Sequence, residues 1–178
     1  MLNVGDRAPQ LDLLVSDSEG NQTTLSDLAN SGALLLVLLK TSCKSCKIGL
    51  PFASMLAKRL GNVPLSIVAV SQDSPNVTRS FKRRYEVDLP FVIDNDPYPL
   101  SEAYAIEATP SWFLIDTDGV IRQTGLGVFH QPLNDLLAAI ADIVPNAETL
   151  TFRDIDPELP PFVPACPSKH IQEPLGKW

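Results

Sequence analysis

A continuous apolar run, ALLLVLL over residues 33–39, most constrains how this chain can fold. Its length is typical of a strand and too short for a segment that crosses a bilayer. Because every position is apolar, the strand is expected to be buried on both faces, in the middle of a sheet. The run leads into KTSCKSC over residues 40–46, so two of the three cysteines follow its carboxyl end.

Strand-like and helix-like segments alternate on both sides of this run and predict an α/β fold. Helical spacing of apolar residues marks 44–60, 75–87 and 131–144, and buried-strand composition marks 64–73, 91–94 and 111–116. Turn residues predict an N-terminal β-hairpin over 11–28 and a second hairpin over 111–127. Alternating β and α segments place helices on both faces of the sheet, and the second hairpin makes the sheet mixed.

The composition divides the chain near residue 144. With 178 residues, of which 44% are hydrophobic, the chain can form one ordinary core, which we assign to residues 1–144. Prolines then become frequent and periodic apolar positions few. Residues 145–178 are therefore predicted to be a Pro-rich extended tail that either wraps the domain or is partly disordered.

The charge and the N-terminus exclude several classes of function. The formal net charge of −7 argues against binding to nucleic acid and to anionic membranes, since both require a basic surface. The N-terminal residues show no export-signal pattern, and no apolar stretch is long enough to span a membrane. From this we expect a cytoplasmic protein that binds neither nucleic acid nor membrane.

The spacing of Cys43 and Cys46 is typical of a redox pair. Cys43 falls where a strand turns into a helix, and the free N–H groups of the first turn favour its thiolate, as do neighbouring lysines such as Lys40 and Lys44. Cys46 lies one turn inside the helix and should be less exposed and less acidic. This asymmetry suits thiol–disulfide exchange in which Cys43 attacks and Cys46 resolves the mixed disulfide.

Other roles for the cysteines stay open. Cys43 and Cys46 could pack in a core, or form a structural metal site together with Cys166 and His170, whose spacing suits metal ligands. Cys166 itself is either a free surface thiol, a third redox cysteine that reaches the pair, or an intermolecular link.

Thr109 and Pro110 stand directly before the predicted strand in ATPSWFLID, residues 108–116. A Thr-Pro bond in such a turn can be cis. The alternative is an ordinary proline that begins a strand.

Taken in order, the motifs resemble those of the thioredoxin-like proteins, in particular the TlpA/ResA and AhpC/TSA redoxin branch. The matching features, within residues 3–144, are VGDRAPQLDL, the apolar strand before CKSC, Pro51, ATPSWFLIDTDGVI and the GLG before the last helix. The resemblance implies a thioredoxin fold with a central mixed β-sheet flanked by helices, an N-terminal β-hairpin and a central βα insertion. It also implies thiol–disulfide oxidoreductase activity that needs neither a cofactor nor a metal.

The resemblance further implies a role for each site residue. Cys43 is the nucleophile, Cys46 is the resolving cysteine, and Thr109 with Pro110, the cis-proline, holds the partner. The partner is a protein disulfide or dithiol, and an upstream reductant or oxidant completes the cycle. The buried acid of many relatives has no counterpart at the equivalent position, and Glu102 and Glu107 are its candidate substitutes.

A peroxiredoxin-like thiol peroxidase with Cys43 as its peroxidatic cysteine is the alternative within the same branch. Its motif places a proline and a threonine before the cysteine, where this chain has Leu36 and Lys40. A non-catalytic thioredoxin-like module with a structural Cys/His metal site is the alternative outside it.

Overall fold

The computed structural model describes residues 1–171, which form a mixed sheet with helices on both faces. The strands are β1 (Val15–Ser16), β2 (Gln22–Thr23), β3 (Ala33–Leu39), β4 (Leu65–Ser71), β5 (Phe91–Ile93), β6 (Ala108–Thr109), β7 (Ser111–Ile115), β8 (Ile121–Leu126), β9 (Val128–Phe129), β10 (Phe162–Val163) and β11 (Cys166–Pro167). The helices are α1 (Leu25–Ala29), α2 (Cys46–Leu60), α3 (Pro75–Arg84), α4 (Pro99–Ala103), α5 (His130–Ile143) and α6 (Phe152–Ile155), followed by a 3-10 turn at Lys169–Ile171.

The central sheet has the strand order β5-β4-β3-β7-β8. Strand β3 runs parallel to β4 and antiparallel to β7, and β7 and β8 form the predicted hairpin. Val37, for example, lies opposite Ala69 on one side and Trp112 on the other. The predicted α/β class, the mixed sheet and the central position of the apolar run are therefore confirmed.

The side chains of β3 alternate between the two faces of the sheet, and all seven residues are buried. Leu35, Val37 and Leu39 pack into one hydrophobic cluster, which includes residues of α2 and α5. Leu34, Leu36 and Leu38 pack into a second cluster on the opposite face, with residues of α1 and α4. Burying one such leucine contributes about 1.5–3 kcal/mol to the free energy of folding, so β3 stabilises the hydrophobic layers on both faces of the sheet.

Helix α2 begins two residues later than the sequence predicts. The turn before it is closed by backbone hydrogen bonds: the Cys43 N–H donates to the Lys40 carbonyl at 3.2 Å, and the Lys47 N–H donates to the Cys43 carbonyl at 3.2 Å. Pro51 lies inside the helix, as expected from its position in the sequence. Cys43 therefore stands in the turn between β3 and α2, while Cys46 is the first residue of the helix.

The N-terminal hairpin forms over β1 and β2, with Val15 opposite Thr23. The short helix α1 was not predicted there. Its N-cap is Thr24, whose side chain accepts a hydrogen bond from the Asp27 N–H at 3.0 Å. A helix of five residues is too short for its apolar spacing to show in a sequence pattern.

Residues 145–171 pack against the domain and include α6, β10 and β11. Phe152 and Leu159 enter the same hydrophobic cluster as α2 and α5. The division at residue 144 stays a prediction, and the last seven residues of the predicted tail lie outside the described part of the chain. Within residues 1–171, no helix combines the length and the apolar character needed to cross a membrane.

Replacing Leu35 by alanine should lower the free energy of unfolding by about 2–5 kcal/mol, because the lost side chain leaves a cavity beside a fully buried strand. Urea unfolding of the reduced protein measures this change. The control is Leu14→Ala, at a side chain that is 64% exposed, which should change stability by less than about 0.5 kcal/mol. Similar losses for the two variants would contradict the central position of β3.

Candidate redox-active site

The two cysteines of the pair lie at the carboxyl end of β3, below the surface. Cys43 is 1% exposed and Cys46 is fully buried. Both are reduced in the structure, as is Cys166, which is partly exposed. The side chain of Cys43 is covered by residues that approach from distant parts of the chain.

Three polar groups surround the Cys43 sulfur. The Ser45 hydroxyl is 3.0 Å away, the Thr109 carbonyl oxygen 3.2 Å and the Cys166 sulfur 2.8 Å. As a thiol, Cys43 can donate to the Thr109 carbonyl. As a thiolate, it can instead accept hydrogen bonds from the Ser45 hydroxyl and the Cys166 thiol.

The side chains of Cys46, Cys166 and Ser45 favour the thiolate of Cys43, whereas the Thr109 carbonyl can only accept a hydrogen bond from the thiol. A hydrogen bond from the Cys46 thiol is the largest influence, and together with smaller ones from Cys166 and Ser45 it lowers the pKa of Cys43 from 9.0 to about 4. Burial acts in the opposite direction but is outweighed. Cys43 is therefore a thiolate at neutral pH and is ready to act as a nucleophile.

Cys46 has the opposite tendency. Burial raises the pKa of Cys46 well above its ordinary value, and the negative charge and hydrogen bonding of Cys43 raise it further. Cys46 therefore remains a thiol while Cys43 is ionised. The predicted difference in acidity is present, with the Cys46 hydrogen bond rather than the neighbouring lysines as its main cause. The predicted difference in exposure is absent, since both side chains are buried.

The Thr109–Pro110 peptide bond is cis. The loop is buried and lies against the pair, with the Pro110 carbonyl accepting a hydrogen bond from the Gly127 N–H at 2.9 Å. A second cis bond, Asp96–Pro97, was not predicted. The part of Thr109 and Pro110 in holding a partner stays a proposal.

Two charged side chains lie beside this site: Lys40, which the sequence placed near Cys43 but without its bond to the tail, and Asp73, which sequence reasoning missed. Lys40 is 7% exposed, and its ammonium group donates to the Pro167 carbonyl. Asp73, also 7% exposed, accepts a hydrogen bond from the Thr41 N–H at 2.7 Å and pairs with the Lys169 ammonium group. No motif marks Asp73, since it simply follows β4, whose end lies beside that of β3.

Glu102 and Glu107, the candidate substitutes for a buried acid, are both exposed. Their carboxylates are therefore poorly placed to exchange a proton with the fully buried Cys46. The backbone carbonyl of Glu107 is nevertheless used: it accepts a hydrogen bond from the Ser168 N–H at 2.9 Å.

The proposed metal ligands do not come together as a set. His170 uses its Nδ1 in a hydrogen bond of 2.7 Å with the Ser168 hydroxyl. Among residues 1–171 there is no group of three or more His, Cys, Asp or Glu side chains placed to hold a metal ion. Lys40 stands where the peroxiredoxin motif has its threonine, and its ammonium group donates a hydrogen bond to the Pro167 carbonyl.

A family model of the AhpC/TSA family matches residues 4–124, which include β1 to β7, both cysteines of the pair and the cis-proline. The chain belongs to the AhpC/TSA family. Among curated relatives, a thiol-disulfide oxidoreductase ResA from Geobacillus thermodenitrificans is 31% identical over 121 residues, which cover 67% of each chain. This relationship confirms the prediction that the protein is a thiol–disulfide oxidoreductase.

Solved structures confirm the thioredoxin-like fold. A DsbE-type thiol:disulfide interchange protein from Chlorobium tepidum, described as putative, superposes with a TM-score of 0.71 at 20% identity and covers 80% of this chain and 99% of its own. A hypothetical protein from Sinorhizobium meliloti superposes with a TM-score of 0.71 at 20% identity and covers 94% of both chains.

Removing the Cys46 thiol with Cys46→Ala should raise the pKa of Cys43, because its largest stabilising hydrogen bond is lost. Cys166→Ala should raise it by less. The measurement is the ultraviolet absorbance of the thiolate as a function of pH, checked by the rate of alkylation with iodoacetamide. A larger rise in Cys166→Ala than in Cys46→Ala would contradict the order of these contributions.

The reduced protein should gain stability with rising pH between about pH 5 and pH 8. Because the pKa of Cys43 is depressed to about 4 in the folded state, the unfolded chain binds one more proton throughout this interval. The contribution is complete above the unfolded pKa and is lost as the pH falls through about 4. Urea unfolding at several pH values measures it, and Cys43→Ala is the control in which this part of the slope must disappear.

Proposed function

We propose that Cys43 and Cys46 are the working couple of this oxidoreductase and that they exchange a disulfide with a protein partner. The observation that carries the proposal is the placement of both buried cysteines at the end of β3 beside the Thr109 carbonyl, in surroundings that lower the pKa of Cys43 and raise that of Cys46. Cys43 can therefore attack a disulfide as a thiolate, while Cys46 stays protonated until the mixed disulfide has formed.

The reaction divides into two exchanges. The Cys43 thiolate attacks one sulfur of the partner disulfide, so that a Cys43–partner bond forms and the second partner sulfur leaves as a thiolate. Cys46 then attacks the Cys43 sulfur, releases the first partner sulfur and gives its proton to a departing thiolate. The partner gains two electrons and the couple becomes a disulfide, while the reverse sequence oxidises a dithiol.

Ionisation of Cys46 is coupled to the first step. While Cys43 is a thiolate, its charge helps to hold the proton on Cys46. Once Cys43 is bonded to the partner, this charge is gone, and the pKa of Cys46 falls toward the range in which it can attack. The pair therefore resolves the mixed disulfide only after it has formed.

Thr109 and Pro110 complete the proposed site by holding the partner. The Thr109 carbonyl lies 3.2 Å from the Cys43 sulfur, and the edge of the short strand β6 beside the pair accepts an antiparallel strand, which in this structure is β11 of the same chain. An extended partner segment paired with this edge would bring its own cysteine to Cys43. The contact uses the backbone and so tolerates many partner sequences.

A partner that carries a protein disulfide or dithiol, together with an upstream reductant or oxidant, completes the proposed cycle. The cytoplasmic location predicted from the sequence stays a prediction.

Cys43→Ala should abolish catalysis of insulin reduction by dithiothreitol, because no nucleophile remains. The double variant Cys46→Ala/Cys166→Ala should lose turnover by at least about 100-fold, because the chain then holds no second thiol that can resolve the mixed disulfide on Cys43. The assay is the rate of insulin precipitation, with Ser26→Ala, an exposed position, as the control. Full activity in Cys43→Ala would overturn the assignment, and rapid consumption of hydrogen peroxide without insulin reduction would favour the peroxidase.

A further inference from the structure

The C-terminal segment returns to the site and takes the position proposed for a partner. Strand β11 pairs antiparallel with β6, with Cys166 opposite Thr109 and Pro167 opposite Ala108. This pairing brings the Cys166 sulfur within 2.8 Å of the Cys43 sulfur. A partner strand with a cysteine at its centre would be seated in the same way, but here both the strand and the cysteine belong to the chain itself.

Polar contacts hold the segment on the side that follows Cys166. Ser168 is fully buried, and its hydroxyl accepts a hydrogen bond from the Gln72 side chain. The oxygen of the same Gln72 side chain accepts from the Lys169 N–H at 3.0 Å, while the Lys169 ammonium group pairs with Asp73. Lys40 adds its bond to the Pro167 carbonyl. The C-terminal segment is therefore held by buried side chains whose hydrogen-bond donors and acceptors pair with its own polar groups.

The side that precedes Cys166 is held by close backbone packing. Strand β10 pairs with β9, with Val163 opposite Val128. Gly127 has a φ of +70°, and a Cβ atom there would lie 3.0 Å from the Val163 carbonyl oxygen and 3.1 Å from the Ala165 nitrogen. The same Cβ would lie 2.7 Å from the Phe129 ring, so a larger residue would crowd both this ring and the tail backbone, and glycine permits their close approach.

We infer that Cys166 is a third redox cysteine, which exchanges a disulfide with Cys43 from within the chain. The inference rests on the proposed function of Cys43 as the nucleophile. When the couple is a Cys43–Cys46 disulfide, the Cys166 thiolate attacks the Cys43 sulfur; a Cys43–Cys166 bond forms and Cys46 leaves as a thiolate. Cys46 takes up the proton that Cys166 has lost, and no electrons leave the protein.

The position of the tail also explains why Cys43 is almost inaccessible. With β11 in place, Cys43 is only 1% exposed and the edge of β6 is occupied. A protein partner must displace β11 before it can pair with Thr109. Cys166 therefore competes with an external partner both for Cys43 and for the strand edge.

Oxidation of Cys46→Ser with oxidised glutathione tests the inference. We expect an intramolecular Cys43–Cys166 disulfide, found by mass spectrometry of alkylated peptides, with no glutathione retained. The matched control is Cys46→Ser/Cys166→Ser, in which Cys43 should keep one glutathione. If Cys46→Ser instead keeps glutathione on Cys43 while Cys166 remains alkylatable, Cys166 is not a redox partner, although Cys43 is still the nucleophile. If Cys43 forms no disulfide even in the double variant, the proposed function itself fails.

A second measurement addresses the competition for the strand edge without altering a cysteine. Ser168→Ala removes one anchor of the tail, and the rate of insulin reduction should rise about fivefold, the effect of losing one hydrogen bond. Ser26→Ala, at an exposed residue remote from the tail contacts, should leave the rate unchanged. An unchanged or lower rate in Ser168→Ala would show that the tail does not restrict access to the site.

Discussion

The burial of β3 on both faces is the constraint on which the site depends. A strand between two hydrophobic layers is held in register by its backbone pairing with β4 and β7 and by the close packing of side chains of different size, such as Ala33 and Val37 among leucines. The chain therefore leaves the sheet at a fixed point, and Cys43 follows four residues after Leu39.

The neighbouring strands are fixed by the same register: Leu38 lies opposite Ser111, so Thr109 and Pro110 come to the same edge of the sheet. Leu39 lies opposite Ser71, which brings Gln72 and Asp73 there as well.

Within that edge, chemistry is controlled by hydrogen bonds to a buried sulfur. Burial alone would keep both cysteines neutral, since a thiolate loses its hydration. The bonds from Cys46, Cys166 and Ser45 reverse this effect at Cys43 only, and the resulting charge holds the proton on Cys46. The two sulfurs thus differ in pKa because the Cys43 sulfur accepts, and the Cys46 thiol donates, the hydrogen bond between them. This difference lasts only while Cys43 is not bonded to another sulfur. The Cys-x-x-Cys spacing brings the two sulfurs together, but the surrounding groups decide which of them carries the charge and which donates the hydrogen bond.

The tail shows how a Pro-rich segment can be ordered without a core of its own. Its two short strands bond to edges of the domain, its apolar side chains fill gaps in the helical layer, and its polar groups meet Gln72, Asp73 and Lys40. Because the prolines lack an N–H donor, such a segment offers few backbone bonds and relies on specific side-chain partners. Contacts of this kind can be released one at a time, which suits the proposed competition between this segment and a partner.

Local pattern was enough to predict much of this protein. The apolar run, the helical spacing around Phe52 and Leu136, the Cys-x-x-Cys at a strand–helix junction and the Thr109–Pro110 turn all lie within a few residues of chain, where geometry follows from residue type. What only the tertiary structure decided is the neighbourhood of Cys43. Cys166 lies 123 residues away in sequence and 2.8 Å away in space, and no periodicity connects them. Lys40 and Asp73 likewise acquire their roles from a tail whose composition predicted only that it would wrap the domain or be partly disordered. Contacts between distant segments depend on how completed elements pack, and this information is distributed over the whole chain rather than contained in any motif.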